Sequence, residues 1–75
     1  MGTLISSVEN LALVLVDARK LAEKTQAEVA EKANLRQATI SKVESGDQGI
    51  RLETVLSLLE AHNLELLVRP KQKQI

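Results

Sequence analysis

Residues 25–46 read TQAEVAEKANLRQATISKVESG, and this stretch decides the fold. Thr25 suits a helix N-cap, and Glu28 stands three residues on, the spacing of a capping box in which each side chain satisfies the other's backbone N–H. Val29, Ala30 and Ala33 follow as an apolar stripe, which predicts a short helix over about Gln26 to Lys32. Asn34 tolerates the left-handed backbone of a tight turn. A further helix is expected over Gln37 to Ser45, with Ile40 and Val43 facing inward and Gly46 ending it. Ala30 lets the two helices approach closely, while Leu35 and Ile40 plug the space between them. Each of these residues is common; the weight lies in their order and spacing, which is that of a helix-turn-helix.

Working outward, Ser6 and Glu9 have the spacing of another capping box, followed by Val8, Leu11, Ala12, Leu15, Ala18 and Ala22 at helical intervals. This predicts a first helix over roughly Ser7 to Glu23. Beyond the central stretch, Asp47, Gln48 and Gly49 make a polar loop. Leu52, Val55, Leu56, Leu58 and Leu59 then mark a fourth helix that stops near Asn63, a second left-handed candidate. From Leu64 to Arg69 the period changes: Leu64, Leu66 and Val68 alternate with Glu65, Leu67 and Arg69, which suits a strand, and Pro70 forbids a helix through it. No other segment offers a convincing strand, except weakly Thr3 to Ile5, and a lone strand leaves its backbone groups unpaired. Antiparallel pairing with its own copy across a two-fold axis would satisfy both strands and bury Leu64, Leu66 and Val68 against the helices, giving a homodimer. The tail from Lys71 to Ile75 reads as basic and frayed.

The composition bounds what such a chain does. Its 75 residues suffice for one small domain, so 1–75 is read as a single domain. Ten Lys plus Arg balance ten Asp plus Glu, so net charge points to no partner. With no cysteine, neither a disulfide framework nor a thiolate metal site is available, and secretion as a stapled miniprotein is not expected. The apolar content is aliphatic: thirteen Leu, eight Ala, seven Val and four Ile with no Phe, Trp or Tyr. That excludes the aromatic platforms that grip single-stranded RNA or DNA. The longest apolar run, Leu11 to Val16, is six residues, far short of a bilayer span, and a cytoplasmic location without membrane is expected. One small aliphatic core supplies little net stability, which independently favours a dimer. There is no Gly-rich phosphate loop and no Ser/His/Asp set, so no catalytic residues and no cofactor are assigned. His62 is the only histidine and has no second ligand type beside it, so no metal site is assigned.

The central stretch resembles the XRE or phage-repressor type of helix-turn-helix family: Thr25-Gln26, Ala30, Asn34-Leu35, Ile40-Ser41 and Glu44-Ser45-Gly46 match its pattern in order and spacing. Asn34 stands where glycine is typical, and both residues accept the turn. The resemblance spans about Leu11 to Asn63 and implies an all-α, lambda-repressor-like domain of four helices. A fifth helix is usual in that family, whereas here Leu64-Glu65-Leu66-Leu67-Val68-Arg69-Pro70 follows, an ending similar to HipB-type antitoxins. That likeness implies a homodimer whose C-terminal strands, about 64–69, pair between subunits, and which binds inverted-repeat operator DNA and holds a HipA-type kinase toxin inactive. A stand-alone phage-type or restriction-control repressor, or a protein-binding adaptor that touches no DNA, are the alternatives.

The third helix is then the candidate recognition helix, with no acidic side chain from Arg36 to Val43. Gln37 can bond bidentately to adenine, Ala38 can meet a thymine methyl, Ser41 can reach a base or phosphate, and Arg36 can read guanine. Arg36 and Lys42 have a second reading as phosphate holders, and the whole face has a plainer one as a solvated polar surface. Thr25, Gln26, Thr39, Lys42 and Ser45 are the candidate phosphate contacts, Thr25 also reading simply as an N-cap. The resemblance further implies a structural ion pair between Arg19 and Glu44, tying the first helix to the end of the third.

Overall fold

The structure, a computed structural model, describes residues 2–72. Four helices follow one another: α1 (Val8–Leu21), α2 (Gln26–Ala33), α3 (Gln37–Glu44) and α4 (Leu52–Ala61). The capping box of α2 forms as its spacing requires, with Thr25 Oγ1 accepting from Glu28 N at 3.1 Å and Glu28 Oε1 accepting from Thr25 N at 2.9 Å. At α1 the cap is displaced by one residue from the expected Ser6–Glu9 pair. Ser7 is the N-cap and accepts from Asn10 N at 3.0 Å, while Asn10 Oδ1 accepts from Ser6 N at 3.2 Å and Ser6 Oγ at 2.6 Å. Two overlapping pairs compete here, Ser6 with Glu9 and Ser7 with Asn10. The second wins and leaves Glu9 for a long-range contact, accepting from Gln48 Nε2 at 3.2 Å in the loop after α3.

All four helices end in the same way. One residue turns left-handed (Glu23, Asn34, Gly46 and Asn63, with φ of 55°, 57°, 81° and 57°), and the next N–H reaches back five residues to a carbonyl. Those bonds are Lys24 to Arg19, Leu35 to Ala30, Asp47 to Lys42 and Leu64 to Leu59. This double-bonded ending satisfies carbonyls that the helix itself leaves without partners. Asn34, Gly46 and Asn63 suit the position; at Glu23 the side chain crowds the left-handed backbone, a cost of about 1 kcal/mol. The first helix accordingly stops at Leu21, two residues short of the expected Glu23, and Ala22 is exposed.

The core is one cluster of Leu15 from α1, Val29 and Ala30 from α2, Ile40 and Val43 from α3, and Val55, Leu58 and Leu59 from α4. Leu11, Ala33, Leu35 and Ile50 close its edges. Ile40 and Val43 are fully buried, so α3 is held by its inward face against α1 and α2, and α2 also packs on α4. Leu52 and Leu56, part of the stripe that marks α4, lie on its solvent side.

Among the described residues no strand forms. Residues 64–70 leave α4 without a partner, and Leu64, Leu66 and Val68 are 38%, 49% and 90% exposed, so the expected burial of these three against the helices is absent from the single chain. The physical reason is that a strand's N–H and C=O groups pair only with another strand, and residues 3–5 supply none. The expected tail residues Lys73, Gln74 and Ile75 lie outside the described residues.

Candidate nucleic-acid interface

A polar knot fixes α3 from below. Arg19 on α1 donates from Nε to Glu44 Oε2 at 2.7 Å and from Nη2 to Glu44 Oε1 at 3.0 Å, a two-pronged pair of side chains only 16% and 7% exposed. Arg19 Nη1 also donates to the Lys24 carbonyl at 3.0 Å, holding the turn before α2. Gln26, the first residue of α2, donates from Nε2 to Glu44 Oε1 at 3.0 Å. One carboxylate thus joins the starts and ends of three helices. Burial pushes the Glu44 carboxyl up, but the hydrogen bonds from Arg19 and Gln26 together with the Arg19 charge outweigh it, and its pKa lies below the ordinary carboxylate value. Fork-to-carboxylate pairs of this kind are strong because both bonds are charge-assisted. His62, half-buried at the end of α4, is held below its usual pKa by burial first, with Lys32 and Arg19 adding to the effect against the pull of Glu44.

Above the knot, α3 presents Gln37, Ala38, Ser41 and Lys42 to solvent, with Arg36 just before it and Ser45 just after, all exposed. The face is short, convex and free of carboxylates, because Ile40 and Val43 take the inward side and Glu44 is turned into the knot. A helix of this width fits the major groove, where Gln, Arg, Ser and Ala find complementary base edges. No hydrogen bond or ion pair among the described residues occupies the side chains of Arg36, Gln37, Ser41 or Lys42.

The candidate phosphate contacts are distributed differently. Thr25 is engaged as the cap of α2 with its oxygen accepting, which leaves its hydroxyl proton to donate outward. Gln26 has one amide proton committed to Glu44, and Ser45 Oγ donates to the Lys42 carbonyl at 2.7 Å. Thr39 is half-buried and lies in a cleft lined by Asn34, Leu35, Arg36 and Arg51. Arg51 is a residue that sequence reasoning missed. It sits fifteen positions after Arg36, at the N-cap of α4, and the signal that could have found it was a basic residue directly before the first leucine of a predicted helix, where an acid or a hydroxyl is favoured. Among the described residues there is no cluster of three His, Asp or Glu side chains able to hold a metal ion, and no helix is long and apolar enough to cross a membrane.

Two short helices around a left-handed turn, carried on a four-helix body, define a class, and a family model of that class, helix-turn-helix, matches residues 15–68; the chain belongs to this family. Solved structures narrow the likeness. The chain is 28% identical to a chain of the HipA–HipB–O2–O3 complex, covering 95% of this chain and 100% of that one with a TM-score of 0.88. It is 29% identical to a chain of the complex of a serine-to-alanine HipB variant with an O2 20mer, covering 96% and 100% with a TM-score of 0.88. A chain of the HipB–O4 20mer complex is 28% identical, with 95% and 100% covered and a TM-score of 0.87. No curated protein sequence matches the chain.

Proposed function

We propose that this protein is a sequence-specific DNA-binding repressor and the antitoxin of a HipBA-like pair, a homodimer that binds an inverted-repeat operator and neutralises a HipA-like kinase toxin. It acts in the cytoplasm, at the nucleoid, and carries no enzymatic activity. The observation that carries this reading is the whole-length likeness to HipB, a protein solved with HipA and with the O2 and O4 20mers. The geometry supports it: α3 offers an acid-free face whose side chains are uncommitted, mounted on a rigid core. Gln37, Ala38 and Ser41 are the proposed base contacts, Arg36 either reads guanine or holds a phosphate, and Thr25, Gln26, Thr39, Lys42 and Ser45 are the proposed phosphate contacts. Arg19 and Glu44 are structural. Residues 1–75 act as one domain whose segment 64–69, with Leu64, Leu66 and Val68, pairs with its copy and places two α3 helices about one helical turn of DNA apart, or a multiple of it.

The test is a salt-dependent gel shift on the gene's own upstream DNA, with random DNA as reference. Gln37→Ala is expected to cost about 1–3 kcal/mol on the operator and little on random DNA, whereas Lys42→Ala weakens both about equally and flattens the salt slope. Equal losses on both DNAs for Gln37→Ala reject its reading role. For the antitoxin half of the reading, co-expression with the neighbouring kinase-like gene and purification on a tag placed on this protein should yield a stable complex and rescue growth. Failure of both leaves a stand-alone repressor.

A further inference from the structure

We propose that the cleft between Arg36 and Arg51 is a backbone-phosphate seat on the side of α3 away from Gln26, and that Arg36 therefore holds a phosphate instead of reading a base. The inference rests on the DNA-binding reading above and adds to it a residue, Arg51, and a geometry.

The cleft lies between the turn that precedes α3 and the start of α4, and Asn34, Leu35, Arg36, Thr39 and Arg51 line it. Its two charged residues are both cations, no carboxylate lines it, and neither guanidinium is bonded to an acid among the described residues, where the sole ion pair is Arg19 with Glu44. The chain as a whole balances ten cations against ten acids, so two arginines lining one cleft without an acid are a local excess of positive charge. Like charges gathered around one concavity repel, and an anion seated between them relieves that repulsion. Arg36 and Arg51 also serve as the N-caps of α3 and α4 without offering a side-chain cap bond, so their guanidinium groups are not committed to their own helices. Leu35 and half-buried Thr39 form the wall, and the Thr39 hydroxyl adds a neutral donor.

The position of the cleft around α3 gives the site its meaning. Gln37 and Glu44 are seven residues apart and share one edge of the helix, where Gln26 meets Glu44. Thr39 is about 200° around from Gln37, on the opposite edge, beside Arg51. The exposed stripe of Ala38, Ser41 and Lys42 runs between these edges. A helix lying in a groove of duplex DNA has one phosphate strand on each side of it. The start of α2 faces one strand, and the cleft of Arg36, Thr39 and Arg51 faces the other. An arginine drawn sideways into a phosphate seat does not point at the floor of the groove, which leaves base reading to Gln37, Ala38 and Ser41.

The experiment measures binding of the full chain to operator and random DNA across a salt series, for wild type, Arg51→Ala, Arg36→Ala, Arg51→Lys and, as a control cation outside the cleft, Lys32→Ala. Arg51→Ala and Arg36→Ala are each expected to weaken both DNAs by a similar factor, about tenfold at moderate salt. Each should also reduce the slope of log K against log salt by about 1.8 for the dimer, about 0.9 for each of the two lost phosphate contacts. Arg51→Lys keeps the slope, and Lys32→Ala changes neither quantity. Thermal melts of all variants should coincide, since neither guanidinium bonds within the described residues and the backbone bonds of both positions survive substitution. An unchanged slope for Arg51→Ala overturns the seat. Loss on the operator alone for Arg36→Ala overturns its reassignment and restores base reading. Absence of wild-type binding to either DNA is a different failure, that of the repressor reading itself.

Discussion

Residues 26–44 and residues 64–70 are both rich in aliphatic side chains, yet the first stretch puts four of them into the buried core and the second none. In α2 and α3 the larger apolar residues fall on one side of each helix, so Val29, Ala30, Ile40 and Val43 close a core, and the C-terminal end of each helix finds a partner for its carbonyls. Beyond Leu64, whose N–H closes α4, the apolar residues to position 70 stand in a segment without regular structure that pairs with no strand. Leu67 and Val68 are 79% and 90% exposed there. A helix satisfies its own backbone and needs only a surface to pack against, whereas a strand needs a second strand before its side chains can be buried. One region is complete in a single chain and the other is complete only with a partner.

The sharpest way to break this contrast is to empty the core. Ile40→Ala removes a fully buried side chain and should destabilise the fold by about 2–5 kcal/mol, comparable with the whole stability of a domain this small, so circular dichroism should show a chain largely unfolded at growth temperature. A melt within a few degrees of wild type would mean that α3 is not anchored as described.

Next in size is the knot. Glu44→Gln keeps the shape and removes the charge, and the loss should be about 1–3 kcal/mol at neutral pH by denaturant unfolding. The sign of its pH dependence follows from the lowered carboxyl. Because the folded pKa of Glu44 is below the unfolded value, near 4.5, its contribution is fully present above that value and disappears as pH falls through the folded pKa. Wild type and Glu44→Gln should therefore converge in stability in the acid range below about pH 4.5 and separate above it. Parallel curves across that window would show that the pair contributes nothing through charge.

A smaller effect, of opposite sign, is expected at the end of α1. Glu23→Gly relieves a left-handed backbone and, despite the extra freedom of glycine in the unfolded chain, should raise stability by about 0.5–1 kcal/mol. A decrease would mean that the Glu23 side chain makes a favourable interaction in solution. The smallest effect on the helical body is expected in the exposed segment. Leu66→Pro should leave the stability of the helices within about 0.5 kcal/mol of wild type. It removes a ladder donor, so the proposed dimer should fall to a monomer by light scattering at micromolar concentration. A proline variant that stays dimeric places the interface elsewhere.

Much of the helical body is legible in the chain because its signals are local. Thr25 with Glu28, Asn34 at a turn, and the spacing of Ile40 and Val43 each act over three or four residues, the range over which helix caps and faces are set. Asn63 ends α4 for the same reason. What required the tertiary structure acts over longer separations. Ser7 replaces Ser6 as the cap of α1 in a fold where Glu9 reaches Gln48, thirty-nine residues on. Glu23 accepts a strained backbone where Arg19 and Lys24 are drawn together by the approach to Glu44. Arg51 comes to line one cleft with Arg36 and Thr39 only when the start of α4 is folded back beside the start of α3. Local spacing of caps and apolar residues by itself determined where the four helices lie and most of the sides that face inward, Leu52 and Leu56 excepted. The folding of those helices onto one another decided which side chains meet, because such contacts are not encoded in any single turn of chain.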